Sequence, residues 1–206
     1  MILFVTPRTG KPPGSISVTD LALFYVCPRR FLYRRIFGQK RTRGMIRGLR
    51  AHAQRYAEHA KRSVVKIPLG TAIELALQGE RLVGREVEVW GNGLYGIMDE
   101  VLLHGSSAIV VDYKASVSET GKVQVMGYAY ALRSLGVEDV VVKLARTDDG
   151  RVLWEERFDE SWFRFIDALR KRLLMAAREC VFPGPSDPSA CAGCPFWRLC
   201  RAGSTR

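Results

Sequence analysis

The sequence predicts a mixed α/β fold with a central sheet flanked by helices, and three observations carry that prediction. Two apolar runs rich in Val, Ile and Leu, residues 97–103 and 108–114, flank His104-Gly105-Ser106-Ser107 and read as a hairpin. Residues 138–146 and 151–158 repeat the pattern across Thr147-Asp148-Asp149-Gly150, a second turn signal. Helical patterns over 119–135 and 160–180 separate and follow the two hairpins.

In chain order, residues 1–16 open with a short apolar segment and continue through Pro7, Gly10, Pro12, Pro13 and Gly14, which reads as a loop or flexible arm. Gly10-Lys11 is not a phosphate-binding loop, because Pro12 stands where Ser or Thr is needed and the upstream glycine is missing. Ser17-Val18-Thr19-Asp20 reads as a capping box opening a helix to about Val26. Pro28 suits the first turn of a second helix. Residues 28–37 interleave Arg29, Arg30, Arg34 and Arg35 with Phe31, Tyr33 and Phe37, a composition suited to pairing phosphates and stacking bases. An amphipathic helix with a solvated basic face is the plainer reading of the same residues. Residues 44–62 are helical in pattern, and His52 lies within them. Residues 71–78 fit helix or strand. Residues 82–90 alternate as a strand with Glu86 and Glu88 on one face. In 119–135, Gln124 and Tyr128 share a helix face. In 160–180 the core candidates are Trp162, Phe163, Phe165, Ile166, Leu169 and Leu173.

The chain has 206 residues, 47% of them hydrophobic, enough for one sizeable core. No apolar run reaches the roughly 18 residues of a membrane span, and the N-terminus lacks a signal-peptide pattern. A soluble, cytoplasmic protein is expected. The net charge of +11 comes mostly from arginine, with 24 Arg against 8 Lys, and favours a polyanionic partner. One asparagine and four glutamines hint at a thermophile, though GC-rich coding produces the same scarcity.

The chemistry concentrates in the first hairpin. Gly105 at the first turn position suits a type II′ turn, which places His104 opposite Ser107 and Asp99 opposite Asp112. Lys114 lies two residues beyond Asp112 and projects from the same face. Two apposed carboxylates in an apolar setting share a proton or a cation. With an ammonium beside them they suit metal-assisted hydrolysis of a phosphodiester. A sheet-edge salt bridge between Lys114 and either carboxylate explains the hairpin alone equally well.

Cys191, Cys194 and Cys200 supply three thiols within ten residues, and Cys180 or Cys27 could complete a tetrahedral set. Zinc and an iron–sulfur cluster fit about equally, and a disulfide pair is the plainest alternative.

Together these residues resemble the CRISPR-associated Cas-four exonucleases, a RecB-like branch of the PD-(D/E)XK nuclease superfamily, over roughly Ser17 to Cys200. The matching motifs are Cys27-Pro28-Arg29, Gly48 with His52, Gly96 with Asp99, Asp112 with Lys114, Gln124 with Tyr128, and the three C-terminal cysteines. Asp99 stands in Gly-Ile-Met-Asp without the proline of the superfamily motif, as is common in RecB-like members. The resemblance implies a RecB-like nuclease core. It implies Mg²⁺ or Mn²⁺ on His52, Asp99, Asp112 and the Tyr113 carbonyl, with Lys114 positioning or activating water and Gln124 and Tyr128 lining the active site or DNA path. It also implies an iron–sulfur cluster on Cys27, Cys191, Cys194 and Cys200, with four irons favoured and two the alternative, leaving Cys180 as a spare buried thiol. The implied activity is metal-dependent exonucleolytic hydrolysis of single-stranded DNA ends, contacted by Arg29, Arg30, Tyr33 and Arg34. The implied setting is the trimming of fragments for spacer acquisition beside the spacer integrase. On this reading residues 1–206 are one nuclease domain. Residues 17–62 form its DNA-contacting helical part, 82–158 its catalytic sheet core and 180–206 a cysteine tail packed on the N-terminal part. A RecB-like repair nuclease and a non-cleaving DNA-end adaptor are the competing readings. Cleavage polarity and oligomeric state are left open.

Overall fold

The computed structural model describes residues 1–38 and 64–202. Their strands are β1 (Ile2–Val5), β2 (Ile16–Ser17), β3 (Val64–Lys66), β4 (Leu82–Gly91), β5 (Leu94–His104), β6 (Ser107–Lys114), β7 (Asp139–Arg146) and β8 (Val152–Arg157). Their α-helices are α1 (Val18–Val26), α2 (Pro28–Phe37), α3 (Leu69–Leu77), α4 (Glu119–Arg133), α5 (Glu160–Glu179) and α6 (Trp197–Ala202). The strands form one mixed sheet in the order β3-β1-β4-β5-β6-β7-β8, with β2 alongside β5. β4, β5 and β6 form an antiparallel meander, and α4 carries the chain from β6 into the parallel β7. This mixed sheet flanked by helices is the architecture expected from the sequence.

Local chemistry sets the boundaries. The Ser17 hydroxyl accepts from Asp20 N at 3.0 Å, closing the first turn of α1. Pro28 takes the first turn of α2, where its missing N–H costs nothing. Ser118 caps α4 and Asp159 caps α5 in the same way. Gly105 has φ +58 while Ser106 keeps a negative φ, as a type II′ turn requires, and His104 pairs with Ser107 as expected.

α4 lies across β4, β5, β6 and β7 and against α1. Met98, Val101, Val110, Leu144, Met126 and Ala129 are fully buried in this contact. In α5, Ile166, Leu169 and Leu173 are buried, while Trp162, Phe163 and Phe165 pack at the margin.

The structure corrects three expectations and decides one left open. The opening segment is not a loose arm: Ile2–Val5 is wedged between β3 and β4, parallel to both. The ambiguous stretch is helix, Leu69–Leu77, with Leu69, Ala72, Ile73 and Ala76 buried at helical spacing. Cys180 is exposed rather than buried, because it ends α5 in the left-handed conformation that carries the chain away. Regular alternation in β4 fails at Glu86, which has φ +52. β4 and β5 keep one register from Leu82↔Leu103 to Gly91↔Leu94, but the facing residues Glu86 and Asp99 drop out of the ladder. Burial slips by one residue on both strands there, from Gly84 and Val101 on one side to Val87 and Met98 on the other. The helix expected at 44–62, with Gly48 and His52, lies outside the described residues.

Candidate active site

The skipped pair in the β4–β5 ladder lies at the level where β5 and β6 bring their carboxylates together. The β5–β6 ladder runs from His104↔Ser107 to Glu100↔Val111, and its next step sets Asp99 beside Asp112. Asp99 Oδ2 accepts from Tyr113 N at 2.7 Å, which fixes its carboxylate against β6. Asp112 is 1% exposed. Lys114 Nζ lies 2.7 Å from Asp112 Oδ2, an ion contact. That ammonium contacts a carboxylate otherwise closed off from solvent.

Electrostatics follow from that crowding. Burial, and then the neighbouring Asp112 anion, push the Asp99 carboxyl well above the ordinary range, outweighing the Tyr113 N–H and the Lys114 charge. Burial alone would lower Lys114, but Asp112 and then Asp99 hold its ammonium above the usual value. Lys114 is therefore a charge donor and not a free base at neutral pH.

α4 roofs the pair. Gln124 Nε2 donates to the Tyr128 hydroxyl at 2.8 Å, and Tyr128 is buried. Burial and the nearby carboxylates raise its phenol well above the usual value, so it stays protonated. A Cβ built on Gly96 would meet Tyr128 Cε1 at 2.5 Å, so the glycine of Gly-Ile-Met-Asp is the space the tyrosine ring occupies. Asp99, Asp112, Lys114, Tyr113, Gln124 and Tyr128 are thus gathered in one place; His52 lies outside the described residues.

Sequence reasoning placed Glu86 on a strand face without giving it a role. It faces Asp99 across β4–β5, and its Oε2 is 3.2 Å from Arg8 NH2. Glu88 is buried and accepts from Thr9 N at 2.7 Å, Thr9 Oγ1 at 2.6 Å, Gly10 N at 3.2 Å and the Tyr95 hydroxyl at 2.6 Å. Burial works against its ionisation, but these donors hold its carboxyl below the usual range. The pattern of alternation contained Glu86 and Glu88; nothing in it showed that the first residues would dock on them.

At the far end of α1 the four cysteines Cys27, Cys191, Cys194 and Cys200 line one cavity with Arg29, Arg30, Tyr33 and Trp197. All are free thiols, as is Cys180. Cys27 Sγ caps α2 by accepting from Arg30 N at 3.3 Å, and burial raises its thiol despite that bond. The Arg29 guanidinium donates to Cys200 Sγ at 3.5 Å. Arg34 instead turns to Asp20, 3.9 Å away. Among the described residues, no three His, Cys, Asp or Glu side chains close into a ready-made metal cage. No described helix is long and apolar enough to cross a membrane.

The fold is similar to that of several known structures. The crystal structure of SSO0001 superposes with a TM-score of 0.50 at 20% identity, covering 95% of this chain and 90% of that one. LHK-Exo, an alkaline exonuclease from Laribacter hongkongensis, gives a TM-score of 0.46 at 10% identity over 93% of this chain and 95% of its own, both alone and with dAMP. Among curated proteins none matches the sequence. The model of the PD-(D/E)XK nuclease superfamily matches residues 39–201, a span that holds both carboxylates, the lysine and the helix above them, and the chain belongs to that superfamily.

Proposed function

We propose that this protein is a metal-dependent exonuclease that shortens single-stranded DNA ends, of the Cas-four kind that trims fragments for spacer integration. The observation that carries the reading is the apposed pair of half-buried Asp99 and buried Asp112, with Lys114 in contact and a protonated Tyr128 beside it. The donor set fits a hard divalent cation: two adjacent carboxylates, one of them 1% exposed, with one ammonium in contact with the buried one. Asp99, Asp112 and the Tyr113 carbonyl would hold Mg²⁺ or Mn²⁺, with His52 as the further ligand. The ion supplies a Lewis acid that acidifies water and takes up charge on the phosphate.

The chain's own residues do the rest. Lys114, kept charged by Asp112, orients the attacking water and stabilises the phosphate oxygens. Tyr128, fixed by Gln124, offers its hydroxyl proton to the strand, and α4 excludes bulk water above the pair. The strand would be guided by the basic, aromatic α2 through Arg30 and Tyr33, with Arg29 and Arg34 adding positive charge from their contacts with Cys200 and Asp20. Cys27, Cys191, Cys194 and Cys200 hold an iron–sulfur cluster, four-iron in preference to two-iron, whose role is to clasp the tail to α2.

The test uses end-labelled single-stranded DNA with Mn²⁺ or Mg²⁺, comparing anaerobically purified wild type with Lys114→Ala. Wild type is expected to shorten the strand, while the folded variant loses at least a hundredfold in rate. Labels at either end assign polarity. Binding without cleavage under every metal makes the protein an end-binding adaptor, and an equally active Lys114→Ala removes Lys114 from the site.

A further inference from the structure

Three adjacent strands each bring one carboxylate to the same level: Glu86 on β4, Asp99 on β5 and Asp112 on β6. The β4–β5 register sets Glu86 across from Asp99, and the β5–β6 register carries the row on to Asp112. At that level β4 gives up regular strand geometry, because Glu86 adopts φ +52 and neither it nor Asp99 joins the ladder. A non-glycine residue is strained in that conformation, and the surrounding structure must offset the strain. The Glu86 charge acts on Asp99 and on Tyr128, adding to the upward push on both.

The partner of Glu86 is delivered deliberately. The Thr6–Gly10 arm is pinned beside β4 by the buried Glu88, and Glu88 N donates to Thr6 Oγ1 at 2.8 Å. Arg8, in the middle of this arm, reaches Glu86 at 3.2 Å while remaining 46% exposed. A cation held by Asp99, Asp112, the Tyr113 carbonyl and His52 would still have about two of six positions open to water or a further ligand. The row has one more anion within the same span of sheet, neutralised by an arginine on an anchored loop.

We propose that Glu86 is a third carboxylate of the cation centre, held by Arg8 until a divalent cation draws it over as a ligand, directly or through a bound water. This rests on the nuclease reading above. It predicts that Glu86 contributes to cation affinity before any DNA is present, and that Arg8 competes with the cation for it.

The experiment is a Mn²⁺ titration of the full chain without DNA, followed by electron paramagnetic resonance of the free ion. Glu86→Gln is expected to weaken Mn²⁺ binding at least tenfold. Arg8→Gln is expected to tighten it several-fold, while Lys11→Gln, an exposed charge just beyond the same arm, leaves it unchanged. Because Glu86→Gln keeps side-chain shape but not charge, a second variant guards against a folding defect. Glu86→Asn suits the left-handed backbone and should hold or raise the unfolding midpoint while binding Mn²⁺ equally weakly. Wild-type affinity in Glu86→Gln, with affinity lost in Asp112→Asn, overturns the inference and leaves the nuclease site standing. Wild-type affinity in Asp112→Asn overturns the cation centre itself. Unchanged affinity in Arg8→Gln overturns the competition with Arg8.

Discussion

Asp112 shows how the two readings of the hairpin describe the same atoms. The salt bridge to Lys114 is present at 2.7 Å, so the plainer expectation was correct as far as it went. It does not account for Asp99, which is half-buried beside another anion and is pushed toward its protonated form by desolvation and by that neighbour. Asp99 therefore retains its proton to a higher pH in the fold than in the unfolded chain, whose carboxyl titrates near 3.9. The sign of the consequence is fixed: between that value and the raised one the unfolded chain binds fewer protons, so metal-free stability falls as pH rises. Urea midpoints across this window should decline for wild type and flatten in Asp99→Asn. Mn²⁺ affinity should climb over the same interval as the cation displaces the proton; a pH-independent affinity would mean that Asp99 is already ionised.

At the scale of elements, the decisive contact is α4 on β5. Tyr128 occupies the space over Gly96, so Gly96→Ala must displace the ring or the strand. Overpacking of this kind costs about 1–3 kcal/mol. The expected outcome is a denaturation midpoint lowered to match, with kcat reduced more than KM because the displaced hydroxyl no longer meets the strand. An unaltered kcat would show that Tyr128 is only core. Much of this arrangement was legible in the sequence. Gly105-Ser106 fixed the register that joins Asp99 to Asp112, and the spacing of Gln124 and Tyr128 put both on one helix face. Ser17 and Pro28 marked their helix starts because capping is local chemistry. The rest was hidden for equally physical reasons. Ile2–Val5 is too short to display a period, and its place between β3 and β4 depends on residues sixty and eighty positions away. The left-handed turn of Glu86 answers to the arm and the neighbouring strand, and no local signal encodes it.

Across the whole molecule, the cysteine cavity joins residues far apart in the chain. The tail already lies on α2 through Phe182 against Phe31 at 5.9 Å, Phe196 against Tyr33 at 6.0 Å, and Arg29 N donating to Pro183 O at 3.1 Å. A cluster on the four thiols would add a covalent clasp closing a loop of more than a hundred residues, worth about 5 kcal/mol in the chain-entropy picture. Anaerobically purified protein should be brown. Cys191→Ser should lose its iron and melt about 10 °C or more lower, with faster hydrogen exchange over the tail than over the sheet. Colourless wild type would leave the clasp without iron, and a variant of unchanged stability would leave it without a structural role. β1 carries a consequence of another kind. It is flanked by strands made much later, so on a growing chain neither neighbour is there to pair with it until Lys66, and then Gly84, has emerged. Long-range parallel pairing of this sort is slow to form. The arm that follows it, with Thr9 on Glu88 and Arg8 on Glu86, cannot settle before that pairing exists. Assembly thus comes with a built-in order: the arm beside Glu86 and Glu88 takes its place only after the strands beneath it have paired, so a half-made chain carries no finished carboxylate site.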